Sequence, residues 1–382
     1  MPKFFRTRHN KKIPLPVFFP DATRAVLKTL DSEDIRNTKT NGILVNTFHL
    51  FLGLGKRVLK AHAGVGNFMN WQGAIISDSG GFQVMSIVKA NPNQGEIIDA
   101  GVVYRPFKKQ RILFTPEKSI RFQSYLKSDM LITLDDFTPP DASYEQAKKT
   151  VDRTIAWARR SKVEFNKIYG TTSKNKRPYL LAVVQGGKYL DLRKYCASEL
   201  VKIGFDGFGY GGWPLKTNGD FDYQVAQTIA DATPKNYLLY GLGIGKPDEI
   251  VNLVKMGYHI FDCVLPTRDA RHQRLYVYTA ETMDKINLKD PKFYRYLVPT
   301  KQKYYADTSP VSTACDCLLC THYSKSYLNH LFKIGDPTAK RLATIHNLRF
   351  YSILMEKLSS PSFPRPMSSP RPMSFPRRRE SI

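Results

Sequence analysis

The chain has 382 residues, 42% of them hydrophobic, a length and composition typical of a globular protein with one large domain or two smaller ones. No apolar run approaches the roughly 18 residues of a membrane span, and no signal-peptide pattern follows the basic N-terminus, so we expect a cytoplasmic protein without a membrane partner. The net charge of +25 favours a polyanionic partner such as nucleic acid.

Short apolar segments rich in strand-forming residues alternate with loops and helical patterns along most of the chain. Four of them lead to polar side chains: residues 74–77 to Asp78, 130–134 to Asp135, 180–184 to Gln185 and 259–261 to Asp262. This α/β alternation predicts a (β/α)8 TIM barrel, in which the C-terminal ends of the strands form one active-site face. A doubly wound sheet is the structural alternative, because it also places function at the strand C-termini.

Two of the intervening helices are predicted by apolar spacing and by end signals. The first follows Pro140 and repeats apolar residues at Ala147, Val151, Ile155 and Ala158. The second begins at Pro247 and closes at Gly257, a residue type typical of helix C-termini. We expect both helices to cover the barrel.

Asp78 and Asp262 are the strongest candidates for chemistry. Asp78 opens the segment Asp-Ser-Gly-Gly, whose glycines allow a ligand to approach the backbone, and Asp262 is followed closely by Arg268 and Arg271. Two carboxylates that face one pocket can act as a nucleophile and as an acid or base. Each aspartate alone is more typical of a helix cap or of a loop hydrogen-bond acceptor.

Three of the five cysteines lie within six residues, at Cys315, Cys317 and Cys320. Thiolates at this density predict a structural zinc site rather than buried unliganded thiols. His322 is too close in sequence to complete the site, whereas His330 and His346 both remain candidates for the fourth ligand.

The segment from 268 to 303 carries nine basic residues against four acidic ones. We expect this segment to contact phosphates, although a general excess of basic residues does not by itself locate a binding face.

Three motifs in order carry a resemblance to a known family. They are Asp-Ser-Gly-Gly-Phe-Gln-Val at 78–84, Phe-Asp-Cys-Val-Leu-Pro-Thr-Arg at 261–268, and the cysteine cluster followed by His-Asn-Leu at 346–348. Together they resemble the tRNA-guanine transglycosylases, also called queuine tRNA-ribosyltransferases. The segments at 46–50, 185–187 and 242–245 fit in the same order, and the resemblance runs from about residue 5 to 356.

The resemblance implies a (β/α)8 barrel with a zinc-binding insertion near the C-terminus. It also implies an enzyme that exchanges guanine at wobble position 34 of GUN tRNAs for a 7-deazaguanine base, preQ1 or queuine, in queuosine modification. Asp262 would be the nucleophile that attacks ribose C1′ and forms a covalent intermediate. Asp78 would be the proton acceptor and general acid-base.

Further site residues follow from the resemblance alone. Asp135 would read the donor edge of the base, Gln185 its carbonyl, and Gly212 would contribute a backbone donor. The substrate site would also include Ser79 and Gln83, and Arg268 and Arg271 would bind RNA. The resemblance assigns one structural Zn²⁺ per chain to Cys315, Cys317, Cys320 and His346, and it implies a homodimer.

Two departures from the family pattern flank the base pocket. Asp136-Phe137 stands where bacterial members typically have Glu-Cys, and Tyr-Gly-Gly-Trp-Pro at 210–214 replaces the usual Gly-Gly-Leu-Ala-Val-Gly. Phe137 and Trp213 reshape the side that receives the 7-substituent, so the choice between preQ1 and queuine remains open.

Three rival functions compete with this interpretation. A catalytically silent RNA-binding partner subunit of the same family is the main alternative, and the presence of Asp78, Asp262, Arg268 and Arg271 argues against it. A zinc nucleobase deaminase needs His-x-Glu, and no histidine here has glutamate two residues later. An archaeosine-type member would carry additional C-terminal domains.

We expect residues 1–358 to form the catalytic barrel, with a zinc-binding subdomain at about 300–350. The Pro, Ser and Arg composition of 359–382 predicts a disordered tail.

Overall fold

The computed structural model describes residues 2–83, 86, 92–105, 111–361 and 363. The described strands are β1 (Phe4–Arg6), β2 (Lys12–Pro14), β3 (Val17–Pro20), β4 (Gly42–Asn46), β5 (Ala74–Asp78), β6 (Gly95–Ile98), β7 (Gly101–Tyr104), β8 (Ile112–Phe114), β9 (Met130–Ile132), β10 (Tyr179–Val184), β11 (Gly207–Tyr210), β12 (Leu238–Gly241), β13 (Ile260–Cys263), β14 (Leu275–Tyr278) and β15 (Tyr294–Leu297).

The described helices connect these strands. They are α1 (Ser32–Asn37), α2 (Thr47–Gly53), α3 (Gly55–Ala61), α4 (Val65–Met69), α5 (Pro116–Leu126), α6 (Tyr144–Tyr169), α7 (Leu190–Ile203), α8 (Tyr223–Ala232), α9 (Pro247–Lys255), α10 (Leu265–Arg271), α11 (Leu318–His322), α12 (Lys325–Lys333) and α13 (Pro337–Ser359). None of them is long and apolar enough to cross a membrane.

Eight strands form one parallel sheet in the order β3-β13-β12-β11-β10-β9-β5-β4. A parallel bridge between Asp21 and Leu44 joins the two end strands and closes the ring. A doubly wound sheet would leave two open edges, so the closure confirms the predicted (β/α)8 barrel.

The interior of the barrel is a packed apolar core. One side-chain set faces inwards from the strands: Val17, Phe19, Leu44, Ala74, Ile76, Met130, Ile132, Leu181, Val183, Leu238, Tyr240 and Ile260. The antiparallel hairpin of β1 and β2 adds Phe5 and Ile13 to this core, and Phe5 contacts Phe19 and Tyr179. The hairpin therefore packs at the N-terminal ends of the strands, which leaves the C-terminal ends for a ligand.

The two predicted helices are confirmed as α6 and α9. Ser143 caps α6 through a capping box with Gln146, and the predicted apolar stripe is buried. Helix α9 begins at Pro247 and ends at Lys255, and Gly257 follows at φ +99°, a left-handed conformation that favours glycine.

The chain beyond α10 forms the hairpin of β14 and β15 and then α11 to α13. Helix α13 packs against α10, β3 and β14, so it ties the C-terminal insertion to the barrel. The predicted tail at 359–382 lies almost entirely outside the described residues.

Candidate active site and metal centre

Several polar side chains lie in one layer at the C-terminal mouth of the barrel. Side chains on a strand alternate between its two faces, so a residue two positions beyond an inward-facing core residue also faces inwards. Phe19 is thus followed by Asp21, Leu44 by Asn46, Ile76 by Asp78, Val183 by Gln185, and Ile260 by Asp262. Asp21, Asp78 and Asp262 line a cavity of about 480 Å³.

Asp262 lies within β13, which ends at Cys263 rather than at the predicted Phe261. Its Oδ1 accepts hydrogen bonds from the Tyr240 hydroxyl at 2.7 Å and from the Gly243 N–H at 2.8 Å. Among the residues that the structure describes, no donor is bonded to Oδ2. The carboxylate is therefore held through one oxygen, and the other oxygen is free to form a bond in the cavity.

Asp78 is the last residue of β5 and pairs in register with Asn46 of β4. The Asn46 amide donates to Asp78 Oδ2 at 2.9 Å, and the Gly80 N–H donates to Oδ1 at 3.2 Å. Gly80 has φ +88°, and a Cβ there would lie 2.4 Å from the Phe48 Cβ. The glycine is therefore required for the tight turn that delivers the donor.

Asp135 lies three residues beyond β9, which ends at Ile132 rather than at the predicted Leu134. The Gln185 amide donates to Asp135 Oδ2 at 2.6 Å, and Gln185 Oε1 accepts from the Thr138 N–H at 3.2 Å. A Cβ on Gly212 would lie 3.3 Å from Gln185 Oε1. The structure thus brings the three predicted base-reading residues together, and Asp135 and Gly212 line the cavity.

The predicted residues Ser79 and Gln83 lie beside Asp78. Ser79 is buried, and its hydroxyl accepts from the Gly81 N–H at 3.3 Å. Gln83 lines the cavity, and its Oε1 is buried with no hydrogen-bond partner in the described part of the chain. A buried acceptor without a partner is costly, so this oxygen suits a ligand that donates a hydrogen bond.

Aromatic side chains form part of the cavity wall. The rings of Phe82 and Phe137 meet edge to face with centroids 5.3 Å apart, and Trp213 is 48% exposed. Asp136, the other departure from the family pattern, contributes nothing to this wall, because its Oδ2 accepts from Arg153 Nη1 at 2.6 Å. The wall can hold a flat, largely apolar ring system.

Three carboxyl groups of this cavity have pKa values near neutrality. Burial raises the pKa of Asp78 to about 6 and the pKa values of Asp135 and Asp262 to about 7. Hydrogen bonds from Gly80, Gln185 and Gly243 oppose these shifts, and neighbouring carboxylates reinforce them. Groups with such pKa values can exchange protons at pH 7.

The cysteine cluster forms a second, separate site. Ligand atoms of Cys315, Cys317, Cys320 and His346 all lie within 4.8 Å of one another, and all four residues are buried. His346 Nδ1 lies 3.5 Å from Cys317 Sγ and 3.2 Å from Cys320 Sγ. The set offers three thiolates and one imidazole, the donors of a closed tetrahedral zinc site. His330, the other candidate from spacing, is not part of the cluster.

Neighbouring groups fix the orientation of this cluster. His346 Nε2 lies 2.8 Å from the Tyr276 carbonyl, so Nε2–H can donate to it and leave the Nδ1 lone pair for a metal. Buried Arg349 pairs with Asp316, which stands between Cys315 and Cys317. Helix α13 carries both His346 and Arg349, so it completes the site and braces its loop.

Comparison with known proteins decides the family. The family model described as queuine tRNA-ribosyltransferase matches residues 4–360. A queuine tRNA-ribosyltransferase of Mannheimia succiniciproducens is 37% identical over 356 residues, which cover 93% of this chain and 87% of the relative. Those of Pasteurella multocida and Vibrio campbellii are 36% and 37% identical, over 93% and 91% of this chain and 86% and 85% of the relatives. The chain belongs to the queuine tRNA-ribosyltransferase family.

One basic residue of the segment 268–303 lines the cavity of this queuine tRNA-ribosyltransferase family member. Arg268 lines the cavity with its side chain 52% exposed, whereas Arg271 is partly buried and donates to the Thr267 carbonyl at 2.7 Å. Eight of the nine basic residues at 268–303 are exposed, and Arg271 is the exception. Arg268 can therefore meet a phosphate next to a nucleotide in the cavity.

The sequence alone did not indicate a role for three residues at the C-terminal mouth of the barrel. Tyr240 holds Asp262, Asn46 holds Asp78, and Asp21 is a further carboxylate in the cavity wall. In the sequence, Asn46 stands out only as part of a motif. The available signal was the alternation along the strands, which runs from Val17 through Phe19 to Asp21 and from Leu238 to Tyr240.

Proposed function

We propose that this chain exchanges guanine at wobble position 34 of GUN tRNAs for a 7-deazaguanine base. Family membership makes it a tRNA-guanine transglycosylase, which is a pentosyltransferase. The main support for the mechanism is the carboxylate of Asp262, which lines the cavity. Its Oδ1 accepts two hydrogen bonds, and its Oδ2 is free to react.

Asp262 Oδ2 attacks ribose C1′ and displaces guanine, so that a covalent bond between the aspartate and the ribose replaces the glycosidic bond. The incoming base then attacks C1′ from the other face and releases the carboxylate. Tyr240 and Gly243 hold Oδ1 throughout and position the free oxygen. Because one glycosidic bond is exchanged for another, the reaction needs no external energy source.

Asp78 serves as the proton carrier. It donates a proton to the departing guanine and accepts one from the incoming base, so the two half-reactions return it to its starting state. A pKa of about 6 supports this role, since both protonation states are accessible near neutral pH. Asn46 and Gly80 hold the carboxyl group by one oxygen each.

Asp135, Gln185 and Gly212 read the base. A carboxylate accepts hydrogen bonds from the donor edge of a guanine-like ring, and amide donors bind its carbonyl. Adenine would leave these groups unpaired, which is costly in a buried site. Ser79 and the unpartnered Gln83 Oε1 supply further polar contacts from the Asp78 segment.

The incoming base is preQ1 or queuine, and its 7-substituent extends towards Phe137 and Trp213. Both residues line the cavity, whose volume of about 480 Å³ leaves room beyond a purine. A competition assay in which both bases are offered to one tRNA decides between them.

The proposal also covers the metal, the RNA contacts, the location and the oligomeric state. Zn²⁺ occupies the cluster of Cys315, Cys317, Cys320 and His346 and stabilises the C-terminal insertion. Arg268 and Arg271 bind RNA beside the target base. The chain acts in the cytoplasm, and it works as a homodimer. Light scattering at micromolar concentration tests the last point, because the mass of a single chain contradicts it.

The experiment that tests the function is exchange of labelled guanine into a GUN stem-loop RNA. We expect exchange with the wild-type protein, together with a covalent RNA adduct that survives a denaturing gel. Asp262→Asn should abolish both, whereas the surface variant Asp231→Asn should retain them. Full exchange by Asp262→Asn would overturn the mechanism, and absence of exchange by the wild type would overturn the function.

A further inference from the structure

Asp21 is a carboxylate in the cavity wall to which neither the resemblance nor the proposed mechanism gives a role. It follows β3 directly, and Val17 and Phe19 of that strand face the barrel interior, so Asp21 continues the inward-facing set. Its backbone bridges Leu44 of the neighbouring strand. The backbone of Asp21 is therefore held by the contact that closes the barrel, and its position does not depend on the conformation of a loop.

Asp21 lies between the two proposed catalytic acids around the ring. Strand β3 neighbours β13, which carries Asp262, on one side and β4, which holds Asp78 through Asn46, on the other. Phe19 is the register partner of Asp262, so Asp21 lies about 7 Å further towards the mouth than that partner. Asp135 follows β9, which is separated from β3 by two strands. Asp21 therefore faces the sugar end of a bound nucleotide rather than the base-reading end.

One oxygen of Asp21 is available to a ligand. The Thr23 hydroxyl donates to Oδ1 at 2.5 Å and the Thr23 N–H also acts on the carboxyl group and lowers its pKa, but no other residue among those described donates to it. The carboxyl group is electrostatically coupled to Asp78, Asp262, His49, Lys28 and Arg271, and burial raises its pKa above the usual value. A partly buried acid beside two others is costly unless a donor meets it.

RNA offers one such donor near the reacting carbon. The 3′ oxygen of a nucleotide within a chain is esterified, so the 2′-hydroxyl is the ribose hydroxyl that can donate, and it is bonded to the carbon next to C1′. A carboxylate repels the phosphates, which leaves the sugar as its partner. Hydrogen bonds to the corresponding hydroxyl of a glycoside strengthen as charge develops at the reacting carbon.

We propose that Asp21 determines specificity for ribose at the target nucleotide by accepting a hydrogen bond from its 2′-hydroxyl. This inference rests on the proposed function, since it requires that the target nucleotide enter the cavity with C1′ at Asp262. The same contact distinguishes RNA from DNA at this position.

The test compares two stem-loop RNAs that differ only at the target nucleotide, which is guanosine in one and 2′-deoxyguanosine in the other. Guanine exchange gives kcat/KM for each RNA with the wild type, Asp21→Val, Asp21→Asn and the surface control Asp231→Asn. The ratio of the two kcat/KM values is compared between proteins, because the intrinsic reactivity of the deoxynucleotide then cancels.

We expect the ribose preference of the wild type to fall about 10- to 100-fold in Asp21→Val, the loss typical of a hydrogen bond to a charged acceptor. Asp21→Asn retains a neutral acceptor and should keep part of the preference, and Asp231→Asn should keep all of it. Thermal melting of each variant establishes that it is folded.

An unchanged ratio in folded Asp21→Val would overturn the role of Asp21 and leave the proposed function intact. A folded Asp21→Val that loses exchange equally on both RNAs would also overturn that role, since its loss does not depend on the 2′-hydroxyl. Absence of exchange by the wild type on both RNAs would instead contradict the proposed function, and the proposed role of Asp21 would fall with it.

Discussion

Replacing Asp262 with asparagine is expected to stabilise the protein at pH 8 while it removes the nucleophile. Burial raises the pKa of Asp262 from the ordinary 3.8 to about 7. Between these two values the folded chain holds a proton that the unfolded chain has released. The stability of the wild type therefore falls as the pH rises from about 4 to about 7, and it is level above that range.

The size of this stability change follows from the shift in the pKa of Asp262. Roughly three pKa units correspond to about 4 kcal/mol of lost stability at pH 8, at about 1.36 kcal/mol per unit. Unfolding entropies near 2.1 cal/mol/K per residue imply about 0.8 kcal/mol/K for a chain of this length, so the change in Tm is about 5 °C. The amide oxygen of asparagine can still accept from Tyr240 and Gly243, so the substitution keeps the hydrogen bonds of Oδ1.

Thermal melting of the wild type and Asp262→Asn at pH 4.5, 6 and 8 measures this difference. The advantage of the variant should be largest at pH 8 and should shrink by most of its value at pH 4.5. Asp206→Asn is a matched control, because the Asp206 side chain is only 8% exposed but pairs with Arg177 at 2.6 and 2.8 Å, and Asp206 does not line the cavity. The control should lose stability at pH 8. An Asp262→Asn variant that is less stable than the wild type at every pH would refute the reasoning.

Three further outcomes are expected. Guanine exchange should have a bell-shaped dependence on pH with its maximum between about 6 and 7, because Asp262 must lose its proton before it attacks while Asp78 must hold the proton that it donates to guanine. A rate that already falls with rising pH below about 6 contradicts the role of Asp262 as nucleophile. Cys317→Ser should lose bound zinc by atomic absorption and lower the Tm, whereas Cys196→Ser, also buried but outside the cluster, should keep the metal. Arg268→Ala should weaken RNA binding and reduce the slope of log K against log salt by roughly 0.7 to 0.9, whereas Lys202→Ala, at the opposite end of the barrel, should leave the slope unchanged.

The barrel could be predicted because four of its strands are short buried runs that lead to a polar residue. This pattern is local, and it places Asp78, Gln185 and Asp262 on one edge as soon as the strands are parallel. The three cysteines of the metal site are also close together in the sequence, whereas its fourth ligand is distant. His346 reaches the cysteines only because α13 packs across α10 and β3, which spacing along the chain cannot reveal.

Other features depend on how separate segments meet. The predicted strand at 130–134 ends at Ile132, and Leu134 packs with Phe48 and Trp157 outside the barrel interior. This early departure from the sheet brings Asp135 to Gln185. Tyr240 looks like a core aromatic in the sequence, and only its hydroxyl contact with Asp262 shows that it has a second role.

The distribution of charge in this protein fits the proposed binding of an RNA nucleotide in the cavity. The chain carries a net charge of +25, yet Asp21, Asp78, Asp135 and Asp262 all line one cavity. Four full negative charges there would oppose the entry of a polyanion. Burial raises all four pKa values, which reduces the charge of the cavity near neutral pH, while the exposed Arg268 adds a positive charge to its lining. In the proposed complex the acids bind the sugar and the base, whose hydroxyl and N–H groups are donors, and Arg268 meets a phosphate.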